Sequence, residues 1–158
     1  MATVTNSQKH RNQLGATPWG NLNVLHFILK TGANGGALDA DSNVPLAAGD
    51  KVRLGVLPAG STLVDSAAIV SVGLTATVKG DLGFEYVDGV DSAKVPQDAT
   101  YFGDDLDLAV AARLRNATTK APVTLPKDAY LVLTTSGAAN AKAARVDVVV
   151  QAISTGAL

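Results

Sequence analysis

The chain has 158 residues, enough for one domain with its own core and cramped for two. Its 13 Lys and Arg residues against 14 Asp and Glu leave a formal charge of −1 with no basic block, so binding to nucleic acid through phosphate neutralisation is not expected. No cysteine is present, which excludes thiol catalysis, Cys-ligated zinc and a disulfide framework. Hydrophobic residues reach 47% while charged ones make up only 17%, below the usual value of about 25%, which leaves more uncharged surface for contact with other proteins.

Residues 1–16 are polar and without periodicity, and they read as a flexible N-terminal arm preceding a single domain over 17–158. No apolar stretch follows Lys9, His10 and Arg11, so a secretory leader is not expected. No apolar run approaches the roughly 18 residues that would span a bilayer, so no membrane partner is expected either.

Trp19 opens the first ordered segment, 19–29. Leu25, Phe27 and Leu29 share one parity and Leu22, Val24 and Ile28 the other, which predicts a strand covered on both faces, with His26 as the polar exception. Residues 31–50 carry Gly32, Asn34-Gly35-Gly36, Asp39, Asp41, Asn43 and Pro45, the signals of a long loop. Val52, Leu54 and Val56 then alternate with Lys51, Arg53 and Gly55, and Pro58-Ala59-Gly60 turns the chain into a strand over 62–72 rich in β-branched residues. Leu74, Ala76 and Val78 alternate with Thr75, Thr77 and Lys79; Leu82, Phe84 and Tyr86 alternate with Gly83 and Glu85. Each of these is a period-two strand signal.

Asp88-Gly89 and Asp91-Ser92 mark a loop that runs to about Thr100. A further alternation, Leu106, Leu108, Val110, Ala112 and Leu114, predicts one strand across 106–114, although its Ala and Leu content also permits a helix. A short extended segment follows over 122–125, then a strand over 130–135, and a last strand over 144–153 sets Val146, Val148 and Val150 against Arg145, Asp147 and Gln151. Roughly eight or nine short strands spaced by turn signals indicate an all-β sandwich, with a two-sheet jelly roll as the expected form.

Candidate chemistry is sparse. Asp39, Asp41 and Asn43, with Asp50 at the twelfth position of the stretch, partly imitate a calcium loop. Val44 stands where such a loop turns on Gly, and Asp50 is shorter than the bidentate Glu, so a solvated Asx-rich loop and no metal site is the expectation. Asp104, Asp105 and Asp107 form a second acidic cluster, but alternation places Asp105 and Asp107 on a solvated strand face rather than in an acid–base pair. Asp88 and Asp91 read as turn residues. His10 lies in the arm, and His26 reads as a packed, hydrogen-bonded histidine. No Gly-x-Ser-x-Gly elbow is present. Gly32, Gly35 and Gly36 lack dinucleotide-fingerprint spacing, and no Walker Lys follows any Gly-rich stretch. No catalytic residue, cofactor site or metal site is therefore assigned.

The motif Leu46-Ala47-Ala48-Gly49-Asp50-Lys51-Val52-Arg53-Leu54-Gly55-Val56-Leu57-Pro58-Ala59-Gly60-Ser61 is the most specific part of a wider pattern. It is preceded by Thr17-Pro18-Trp19-Gly20. It is followed by Leu82-Gly83-Phe84-Glu85-Tyr86, by Tyr101-Phe102-Gly103-Asp104 and by Lys127-Asp128-Ala129-Tyr130-Leu131-Val132-Leu133-Thr134 before the last Val-rich strand. Over residues 17–153 this resembles structural proteins of tailed-bacteriophage heads, of the decoration (cement) or minor-capsid kind. The resemblance implies a jelly-roll-like sandwich that oligomerises, often as a homotrimer, on the exterior of a capsid, with the major capsid protein as partner. With no leader and no catalytic motif in the sequence, synthesis in the host cytoplasm and no enzymatic activity are the expectations. A head-fibre or tail-associated virion protein, and a carbohydrate-binding β-sandwich, remain the alternatives; the latter calls for exposed aromatics on a sugar-binding face.

Overall fold

The computed structural model describes residues 1–6 and 22–154. Among the described residues ten strands run in chain order: β1 (Thr3–Thr5), β2 (Leu22–Thr31), β3 (Lys51–Leu57), β4 (Ser61–Val72), β5 (Lys79–Tyr86), β6 (Asp98–Asp107), β7 (Ala112–Arg115), β8 (Val123–Thr124), β9 (Ala129–Ser136) and β10 (Ala144–Ser154). They form two sheets, β1-β3-β9-β5-β6 and β2-β10-β4-β7, with β8 paired to β4. Consecutive strands pass repeatedly from one sheet to the other, so the expected all-β, jelly-roll-like sandwich is the observed one.

Alternation explains the core. Leu25, Phe27 and Leu29 of β2, Val146, Val148 and Val150 of β10, and Leu63, Ala68 and Val70 of β4 point inward from the second sheet. Val52 and Leu54 of β3, Leu131 and Leu133 of β9, and Leu82 and Phe84 of β5 meet them from the first. Aromatic rings fill one end of the core in edge-to-face contacts: Phe84 with Tyr101 at 5.5 Å between centroids, and Tyr101 with Phe102 at 4.8 Å. The Tyr101 hydroxyl is satisfied by the carbonyls of Ala121 at 2.9 Å and Leu63 at 3.3 Å.

The motif around β3 has a structural explanation at each end. Gly49, at φ 90°, closes a turn in which Asp50 N–H donates to the Ala47 carbonyl and the Asp50 carboxylate accepts Ala47 N–H. Gly60, at φ 77°, closes the Pro58–Ser61 turn, and Asp128 accepts Ala59 N–H.

Four sequence expectations need correction. The described start of the presumed free arm belongs to the first sheet: β1 pairs in parallel with β3, and Val4 and Asn6 are buried. Residues 7–16 of that arm, with His10, lie outside the described residues, as do Trp19 and Thr17. The segment Leu74 to Val78 is a connection between sheets rather than a strand; Leu74 and Val78 plug the core, and Thr75 is held by Asn140. The run over 106–114 is interrupted between β6 and β7, where Leu108 is buried and Val110 is exposed. Finally, β2 is covered on one face only, since Leu22 and Val24 are exposed.

Candidate functional site

The acidic groups singled out in the sequence are occupied with holding backbone. Asp41 accepts Thr5 N–H at 2.9 Å, and Asp41 N–H donates back to the Thr5 carbonyl. Asp50 accepts Ala2 N–H and Ala47 N–H on separate carboxylate oxygens. Asp39 is exposed at φ 55°, and the Asn43 carbonyl accepts from Asn34. Asp41, Asn43 and Asp50 of the calcium-like stretch are therefore engaged separately, with β1, with Asn34 and with Ala2 and Ala47 respectively. In the second cluster Asp104, Asp105 and Asp107 are exposed; Asp105 pairs with Lys79, and Asp107 accepts Ala109 N–H. Asp88 accepts from Lys127, while Asp91 accepts Ser92 and Gln97 N–H groups. Among the described residues no group of three or more His, Asp or Glu side chains is placed to hold a metal ion.

The aromatic side chains that a sugar-binding face would use lie mainly in the core: Phe27, Phe84, Tyr86, Tyr101 and Phe102 are all buried. Tyr130, on an outer face, is capped by the Arg53 guanidinium 4.7 Å from its ring centroid. A buried polar junction does exist at Asn140. Its side-chain oxygen accepts Thr75 N–H, and its amide donates to Thr31 Oγ1 and the Gly35 carbonyl, tying three loops together at one end of the sandwich. With every member hydrogen-bonded, this arrangement fixes loops and leaves nothing free to react.

The two outer faces of the sandwich differ in character. On the first sheet Lys51 and Arg53 of β3 both reach Glu85 of β5, at 3.0 and 2.8 Å. Burial pushes the Glu85 carboxyl upward, but the hydrogen bonds and charges of Arg53 and Lys51 outweigh it and hold the group below its ordinary value. At the other end of β5, Lys79 pairs with Asp105 of β6. This face satisfies its own charges.

The outer face of the second sheet is mostly aliphatic. Strand register places Val24 beside Gln151 and Asp65, His26 beside Val149 and Ala67, and Ile28 beside Asp147 and Ile69. Leu22 and Val24 are 57% and 62% exposed, and Val72 at the far end is 51% exposed. Amid this surface Asp147 takes Arg145 on one side and His26 Nε2, at 2.9 Å, on the other. The Arg145 hydrogen bond, assisted by His26, keeps Asp147 below the usual carboxylate range. His26 is thus hydrogen-bonded as expected, but it stands on an outer face, with its side chain half exposed, rather than within the core. The sequence carried a signal for this face in the apolar residues of the second parity of β2.

No protein-family model and no curated protein matches the chain. Solved structures do. A chain in the capsid of Ralstonia phage GP4 superposes with a TM-score of 0.67 at 12% identity, covering 99% of this chain and 100% of that one. A chain of the cyanophage Pam1 capsid asymmetric unit superposes with a TM-score of 0.57 at 15% identity, covering 94% and 96%. At these identities the likeness shows a shared fold.

Proposed function

We propose that the chain is a non-enzymatic structural protein of a tailed-bacteriophage particle that decorates the capsid exterior, binding the coat-protein lattice as an oligomer. The observation that carries this reading is the end-to-end superposition on a chain in a phage capsid, with 99% of this chain and 100% of that one covered. Because nearly all of each chain is matched, the likeness extends over the whole sandwich. The occupation of Asp41, Asp50 and Asn140 in holding loops supports a scaffold rather than a catalyst.

In this reading the mechanism is additive. Many copies each bury interface and bridge neighbouring coat subunits, and the sum opposes the outward pressure of packaged genome. An interface of ordinary size buries about 1,200–2,000 Å² in total, so even modest affinity per copy accumulates over a lattice. The partners are the major capsid protein and further copies of this chain, with a homotrimer as the decorating unit.

Addition of purified chain to shells that lack it tests the proposal. The chain co-sediments with the shells up to a saturating ratio, and the loaded shells resist heat better than bare ones. A chain that stays in the supernatant at micromolar concentration overturns the reading.

A further inference from the structure

We infer that the outer face of the second sheet is the surface that meets the shell, and that its partner there is an apolar patch bordered by carboxylates on the coat protein. The inference rests on the decoration reading and adds which face docks and what chemistry it fits.

The two outer faces contrast. Lys51, Arg53 and Glu85 neutralise one another on the first sheet, with Tyr130 covered by Arg53. The second sheet instead leaves Leu22, Val24, Ile153 and Val72 exposed along its length. Leu22, Val24 and Ile153 gather at one end of this face, and exposed aliphatic side chains grouped in this way on a folded chain mark a site of contact.

Charge bears on the occupant. Among the described residues the cations of this face are Lys30, Arg113, Arg115 and Arg145, and its carboxylates are Asp65 and Asp147. Arg145 is committed to Asp147 and Arg115 to Asp65. Lys30 and Arg113 have no carboxylate partner among the described residues. The face is therefore positive on a chain whose total charge is −1. Two copies joined face to face across a twofold axis would set like charges against each other, which disfavours that pairing as the occupant. A partner with an apolar centre and acidic edge buries the aliphatic side chains and pairs Lys30 and Arg113 at once.

Photo-crosslinking tests this in particles of the phage that encodes the chain. One variant carries p-benzoylphenylalanine at Val24, and a control carries it at Lys79 on the opposite face. Thermal unfolding first confirms that both variants fold like the unmodified chain, and blotting confirms that both enter particles. The expected result is a coat-protein adduct from position 24 and none from position 79. In parallel, the double variant Lys30→Glu/Arg113→Glu is retained on shells at least about tenfold more weakly at low salt, with the difference shrinking as salt rises. A position-24 adduct within the same chain, or to a second copy of it, overturns the assignment of the occupant. Adducts from position 79 only, in particles that do contain the chain, overturn the choice of face. Absence of the unmodified chain from particles is seen before irradiation; it removes the decoration reading together with this inference and is distinguished by that blot.

Discussion

The backbone N–H of Ala2 donates to the carboxylate of Asp50 at 2.7 Å, fastening the first residues of the chain to the turn that precedes β3. The other oxygen of the same carboxylate accepts Ala47 N–H at 2.9 Å, and the side chain is buried. Asp50→Ala removes both acceptors and strands two donors, with an expected loss of about 2–3 kcal/mol in urea unfolding. Removing residues 2–6 costs a similar amount, because Val4 leaves the core and β3 becomes a bare sheet edge. An unchanged midpoint in the truncated chain contradicts this role for β1.

Gly137 and Thr77 form a second tight relationship. Gly137 sits at φ 80°, and a Cβ placed there meets the Thr77 carbonyl oxygen at 2.1 Å. Gly60 has a similar φ of 77° but open space around it. Gly60→Ala is expected to cost about 1 kcal/mol, and Gly137→Ala about 3 kcal/mol or more, since the second must also move backbone. Equal losses in paired unfolding curves contradict the close approach.

Acid lowers stability through carboxylates that are held below their ordinary values. Asp147 is held there chiefly by its hydrogen bond from Arg145; Glu85 is held there by Arg53 and Lys51 against the opposing effect of burial. A group with a depressed folded-state value contributes stability above the unfolded value, about 4, and loses it as pH falls through the folded value. The melting temperature of the unmodified chain therefore drops between about pH 5 and pH 3. Glu85→Gln unfolds about 1–3 kcal/mol more easily at pH 7, and the gap to the unmodified chain narrows at pH 3. A gap that stays constant with pH contradicts the assignment.

Much of this architecture was legible because most strands bury one face, and a half-buried strand writes its period into the sequence. β5, β9 and β10 largely follow their alternation, whereas in β3 a register shift between Arg53 and Gly55 takes Val56 out of step with Val52 and Leu54 and puts Leu57 in the core instead. β1 was not legible, since three residues with one apolar side chain have no period to read; Thr3-Val4-Thr5 offered only β-branched composition. Leu74 and Val78 misled in the opposite direction, because two buried ends of a loop imitate alternation, and the anchor for Thr75 lies at Asn140, far along the chain. For β2 the pattern is apolar on both faces, yet the pattern does not say whose atoms cover the second one. That face is where the chain's own fold leaves Val24 and Leu22 exposed.

Association of free chains is a separate expectation. Charged residues make up only 17% of the chain, so part of its surface is suited to contact with further copies in a closed ring. Light scattering after size-exclusion chromatography is expected to give a mass near three times 16.1 kDa. A monodisperse monomer at micromolar concentration contradicts the trimer while leaving attachment of single copies to the shell open to its own test.

The most direct test of the structural role is negative-stain microscopy of purified particles labelled with gold-conjugated antibody against this chain. The account predicts many gold particles per head, distributed over the outer surface of intact capsids and absent from tails. Unlabelled heads in a preparation whose antibody recognises the purified chain, or gold confined to the tail, would contradict it.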